Sequence, residues 1–69
     1  MDIKIKFGEK IRILRNERNL SQESLGFKAK LHRTYIGNVE RGEKNLTLEN
    51  IEKLSKALNI TLNELFNDL

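Results

Sequence analysis

The sequence predicts an all-α domain of five short helices held together by packing alone. Three observations carry this prediction. Apolar residues recur three and four apart through most of the 69-residue chain instead of alternating. Proline is absent and glycine occurs only at positions 8, 26, 37 and 42, while Leu, Ile, Lys, Glu and Asn dominate. With no cysteine and one histidine, neither a disulfide nor a zinc site can staple a chain near the lower size for a self-sustaining core.

The first helix is predicted from about Lys4 or Phe7 to Asn19, with Asp2 or Lys6 near its start. Residues 3 to 7 alternate as a strand would, but Ile3, Phe7, Ile11, Leu14 and Arg18 share one helical face, and a lone strand would have nothing to pair with. Gly8 costs an exposed helix about 1 kcal/mol relative to Ala, unless it permits a close approach. The second helix, about Gln22 to Ala29, is capped by Ser21 and carries Glu23 in its first turn, where the helix dipole favours a carboxylate. Leu25 and Ala29 face inward beside Gly26. The third helix opens at His32 or Arg33 and runs to Arg41, with Ile36, Val39 and Glu40 on its inner side and Gly42 as its stop.

After the polar stretch EKNL, Thr47 caps a fourth helix whose inward set is Leu48, Ile51, Leu54, Ala57 and Leu58, ending near Asn59. Thr61 caps the fifth, with Leu62, Leu65 and Phe66 on one face and Glu64 placed for a capping box. No internal repeat, low-complexity tract or linker interrupts this run, so residues 1–69 are expected to form one domain.

Net charge is +3, but its placement says more than its size. Residues 1–46 carry 11 Lys or Arg against 6 Asp or Glu, whereas residues 47–69 carry 2 against 4. A basic part of this kind suits a polyanionic partner. No apolar run approaches the ~20 residues a bilayer needs and no basic-then-apolar segment resembles a signal peptide, so a soluble, cytoplasmic protein without membrane contact is expected. The chain lacks a metal-ligand set, a nucleophile beside a base and the size to enclose a substrate, so no cofactor is expected and an enzyme is disfavoured.

Residues 22 to 41 hold the constellation of interest. Two helices joined by a turn of about three residues must cross steeply, and Leu25, Gly26, Ala29, Leu31, Ile36 and Val39 fill the offsets that such a crossing buries. A side chain at Gly26 would push the third helix away. Left exposed on the third helix are Arg33, Thr34, Gly37, Asn38 and Arg41, a polar stripe able to meet base edges.

These residues resemble the helix-turn-helix domain of the phage-repressor type, the Cro and C1 (XRE) family, over about Phe7 to Phe66. The shared features are Leu20-Ser21-Gln22, the Leu25-Gly26 pair, Ile36 and Val39, Glu40-Arg41-Gly42, and the Leu-x-x-x-Ala-Leu-x-Ile run from Leu54 to Ile60. More narrowly, HRTYIGNVERGEKNLTLENIEKL is similar to the controller proteins of restriction-modification systems. The resemblance implies a compact, five-helix, lambda-repressor-like DNA-binding domain. It implies a transcriptional regulator that acts as a homodimer on an operator with two half-sites, repressing its own promoter and activating the endonuclease gene, with RNA polymerase as a further candidate partner. The alternative is an antitoxin-type or phage-repressor-type regulator whose main partner is another protein. One departure is Lys30, where the family most often has Gly: a left-handed Lys costs about 1 to 2 kcal/mol.

The resemblance also implies roles. Arg33, Thr34, Asn38 and His32 are the candidates for reading bases from the major groove, Arg33 foremost because its planar fork spans guanine O6 and N7. Gln22, Tyr35, Lys44 and Asn45 are the candidates for phosphate contacts. Alongside these stand blander readings: His32 as a cap, Gln22 as a helix-capping residue, and Tyr35 as a half-buried ring covering the helix junction. Arg15 and Glu40 match a family pair that ties the first helix to the third, a structural role. Leu62, Leu65, Phe66 and Leu69 are the candidates for a dimer interface, against the reading that they close the protomer's own core.

Overall fold

Each helix begins where a side chain takes up a backbone N–H that the helix itself leaves unpaired. The computed structural model describes residues 2–69 and contains α1 (Ile3–Glu17), α2 (Gln22–Ala29), α3 (Arg33–Glu40), α4 (Leu48–Ala57) and α5 (Leu62–Phe66). Asp2, Ser21, His32, Thr47 and Thr61 are the N-caps. At Thr61 the capping box is complete: its hydroxyl accepts from the Glu64 N–H at 3.0 Å, and Glu64 Oε1 accepts from the Thr61 N–H at 3.1 Å.

The helices also stop in a common way. Asn19, Lys30, Gly42 and Asn59 take positive φ, and in each case the next residue's N–H returns to a carbonyl of the helix's last turn. The first helix therefore starts at Ile3 and ends at Glu17, both earlier than the periodicity predicts. Asn19 lies past the end because its φ of 55° takes the chain out of the helix, a conformation Asn tolerates better than most residues. Lys30 holds φ 59° and ψ 41°, so the turn keeps the left-handed geometry and Lys bears the cost.

Ten side chains form the core: Phe7, Ile11 and Leu14 from α1, Leu25 and Ala29 from α2, Ile36 and Val39 from α3, Leu54 and Leu58 at α4, and Leu65 from α5. The α1 helix packs on α3, while α2 sits between α3 and α4, and α5 closes against α4. The Phe7 and Phe66 rings stack at 5.5 Å.

Glycine is required at one approach in particular. A Cβ on Gly8 would lie 2.3 Å from the Val39 carbonyl oxygen, so α1 meets the backbone of α3 there.

Four apolar positions depart from the predicted inward faces. Ile3 is exposed because it occupies the first turn of α1, beyond the reach of α3. Leu48 is 84% exposed, since it opens α4 directly after the cap and projects off the end of the core. On α5 only Leu65 is fully buried, whereas Leu62 and Phe66 remain 47% and 41% exposed. No helix among the described residues is long and apolar enough to cross a membrane.

Candidate nucleic-acid interface

The angle at which α3 leaves α2 is set by a glycine contact. A Cβ on Gly26 would fall 2.5 Å from the Leu31 carbonyl oxygen, a backbone atom that cannot give way without moving the turn. With Gly26 in place, Leu25, Ala29, Ile36 and Val39 interdigitate, and the first turn of α3 projects with its outer side free. His32 caps that turn, its Nδ1 accepting from the Thr34 N–H at 3.0 Å. Its local role is therefore that of a cap, with Nε2 left to face outward.

Behind the helix pair lies a polar cluster. Arg15 Nε and Nη2 donate to the two carboxylate oxygens of Glu40 at 2.6 and 3.1 Å, and Arg15 Nη1 donates to the Leu20 carbonyl at 2.8 Å. The Glu40 side chain is 4% exposed. Hydrogen bonding to Glu40 raises the Arg15 pKa above its ordinary value, more than burial lowers it. Gln22 joins the same cluster, its Nε2 donating to Glu40 Oε1 at 3.1 Å. The first turn of α2 is thus fastened to the last turn of α3 through a carboxylate that α1 also holds. Gln22 keeps one amide hydrogen and the unpaired N–H groups of its helix start for an anion.

On the outer side, Arg33 and Thr34 are exposed together at the start of α3. Arg33 Nη1 meets Glu23 Oε2 at 3.2 Å across the turn. Asn38 is half-buried, and its Oδ1 accepts from Arg41 Nη2, while Arg41 Nε meets Glu43 at 3.2 Å. Asn38 therefore offers its amide N–H more readily than its oxygen. Gly37 is buried rather than exposed: Arg41 and Gln22 fold over it, and a Cβ there would stand 3.3 Å from Arg41 Nη1.

Tyr35 is half-buried. Its hydroxyl oxygen accepts from Asn50 Nδ2 at 3.1 Å, which leaves the phenolic proton available to an outside acceptor. Lys44 Nζ stands 5.5 Å from the centre of the Tyr35 ring, and Asn45 follows it, exposed in the loop between α3 and α4. Arg33, Thr34 and His32 thus gather at one end of α3, and Tyr35 and Lys44 lie together beside the loop. Two participants escaped the sequence reading: Glu23, partner of Arg33, and Asn50, partner of Tyr35. Neither stands at a helical spacing from its partner, so no periodicity could have found them.

The expected dimer residues are divided. Leu65 is fully buried in the protomer and Leu69 is half-buried against the core, so Leu65 has no surface to offer a second chain. Leu62 and Phe66 do remain exposed, and with Leu48 and Ile51 they line an open groove between α4 and α5.

This arrangement has parallels. The family model described as helix-turn-helix matches residues 11–65. Control protein C.MunI of a Mycoplasma species is 51% identical over 69 residues, covering 99% of this chain and 93% of that protein. Control protein C.BamHI of Bacillus amyloliquefaciens is 52% identical over 60 residues, covering 86% of this chain and 74% of that protein. Among solved structures, the restriction-modification controller protein C.AhdI from Aeromonas hydrophila superposes with a TM-score of 0.89 at 51% identity, covering 91% of this chain and 96% of that one.

Proposed function

Because the chain belongs to the helix-turn-helix family of the Cro and C1 (XRE) type, with restriction-modification control proteins among its full-length relatives, we propose that it is a sequence-specific DNA-binding regulator acting as the homodimeric controller of such a system. One observation carries the reading more than any other. Packing occupies the inner side of α3 completely, yet Arg33 and Thr34 at its start remain exposed beside the unpaired N–H groups that open α2. Such a pairing suits an α3 that enters the major groove while the start of α2 meets the flanking phosphate.

In this reading Arg33 spans a guanine edge, Thr34 meets a thymine methyl or a base acceptor, and Asn38 donates one turn further along. His32 caps the reading helix and turns its outer nitrogen to the DNA. Gln22, Tyr35, Lys44 and Asn45 hold the backbone and set the register. Arg15 and Glu40 touch no DNA; they fix the angle of the reading helix. Residues 1–69 act as a single domain.

One domain spans too little DNA for a long site, and two copies reading half-sites ~34 Å apart extend it. The second copy covers the groove between α4 and α5 through Leu48, Leu62 and Phe66, an apolar surface in the less basic part of the chain. Activation of a second gene proceeds through a contact with RNA polymerase, and self-repression through occupancy of its own promoter.

A pool of random duplexes selected on the protein gives the operator, and fluorescence anisotropy then measures affinity at several salt concentrations. Affinity should fall steeply with salt. Arg33→Ala should flatten the preference between operator and variants, while Gln22→Ala should weaken all duplexes alike. Retention of sequence preference by Arg33→Ala would refute the assignment of α3 as the reader. Leu62→Glu should shift sedimentation to the monomer, and an unchanged dimer would remove the groove as the interface.

A further inference from the structure

The one exposed acidic side chain on the reading pair of helices is Glu23, and it is engaged with the residue assigned the main reading role. Between residues 22 and 41 the acidic residues are Glu23 and Glu40, and Glu40 is buried. Glu23 Oε2 and Arg33 Nη1 are 3.2 Å apart, with side chains 73% and 63% exposed. The contact joins the first turn of α2 to the first turn of α3, the two turns that face DNA in the proposed mode.

The pair is single-toothed. Among the five N–H groups of Arg33, one edge of the guanidinium is turned to Glu23, and the Nε and Nη2 edge is left over. Arginine needs two parallel donors to span guanine O6 and N7, but only one to meet a phosphate oxygen. A carboxylate holding one nitrogen therefore restricts where the fork can point and competes with single-donor contacts. It also lowers the net charge that Arg33 presents to any phosphate.

We infer that Glu23 is a specificity-determining positioning residue, which orients the Arg33 guanidinium and withholds it from phosphates so that it is committed at a guanine edge. The inference rests on the reading role of Arg33. Glu23 touches no base in this account; it acts through Arg33. A carboxylate that merely repelled the DNA backbone would weaken all sequences equally, and one that merely stabilised the start of α2 would change the melting temperature with no change in base preference.

The test uses the full chain and its selected operator, with single base-pair swaps at each position of a half-site. The pair read by Arg33 is the one whose swap loses its penalty in Arg33→Ala. In Glu23→Gln, the penalty at that pair should fall about two- to fivefold, the range an exposed ion pair supports. Penalties at the other pairs should stay within about 1.5-fold, as expected for well-separated positions. A penalty at the Arg33 pair that is unchanged in Glu23→Gln, or that falls uniformly at all pairs, overturns the role of Glu23 while leaving Arg33 as the reader. If no pair loses its penalty in Arg33→Ala, the reading role itself fails, and the inference with it.

Discussion

Removing the Glu40 carboxylate should destabilise the domain more than any exposed substitution can. Glu40 accepts three hydrogen bonds, two from Arg15 at 2.6 and 3.1 Å and one from Gln22 at 3.1 Å. In Glu40→Ala these donors lose their acceptor together, and Arg15, with a side chain only 13% exposed, keeps its charge facing a void. Breaking a buried ion pair on one side costs about 3 to 5 kcal/mol. Residual exposure lets water reach Arg15 and Gln22, so the expectation is near the lower end, about 3 kcal/mol. For a domain of this size that corresponds to a melting temperature lower by roughly 12 to 24 °C.

Thermal and urea unfolding followed by far-ultraviolet circular dichroism, at one fixed protomer concentration, measure the loss. The double variant Arg15→Met/Glu40→Met removes both charges and fills the space, and should recover to within about 1 kcal/mol of the parent. A loss below about 1 kcal/mol in Glu40→Ala, or a double variant no better than the single one, would refute the argument that the charge left behind is what costs stability.

Three further outcomes follow from the geometry. Gly8→Ala should destabilise by about 1 to 3 kcal/mol in urea unfolding, because the added methyl meets backbone oxygen at 2.3 Å and the gain in helix propensity does not offset that overlap. Lys30→Gly should raise the melting temperature by a few degrees, since relief of about 1 kcal/mol at φ 59° is partly cancelled by the greater freedom of glycine in the unfolded chain. The Glu64 carboxyl is held below the ordinary carboxylate range, first by the Thr61 backbone N–H and then by its hydroxyl. Its folded pKa is thus depressed, so its contribution is present above the unfolded value and lost as pH falls through the folded one. Unfolding measured across acid pH should show a smaller pH-dependence in Glu64→Gln than in the parent.

How much of this was legible beforehand differs from residue to residue. The helix starts were plain because Ser21, Thr47 and Thr61 each satisfy a backbone N–H within three residues, a local matter that sequence states directly. The start of α3 was bracketed at His32 or Arg33 for the same reason, and only the structure makes His32 the cap. The ends of α1, α3 and α4 fall one or two residues before the predicted ones, while α2 ends at Ala29 as predicted, since a left-handed Asn19 looks in sequence like any polar residue continuing a turn. Leu48 and Leu65 illustrate a different limit. Both satisfy the apolar spacing of their helices, yet one is 84% exposed and the other fully buried, because burial depends on which neighbour lies over that turn.

By itself the sequence determined that the chain would be helical, where α2, α4 and α5 begin, which faces are apolar, and that α3 opens with an exposed polar first turn. These follow from interactions spanning three or four residues. Tertiary structure alone decided that Gly8 is the place where the backbone of α3 meets α1, that Gln22 shares Glu40 with Arg15, and that Glu23 reaches Arg33 across the turn. Each of those joins groups ten or more residues apart on different helices, and no spacing rule encodes how two helices are rotated against one another. The exposed end of α3 is therefore local in its composition and global in its aim: the chain supplies Arg33, and the fold turns it toward Glu23 and the space beyond.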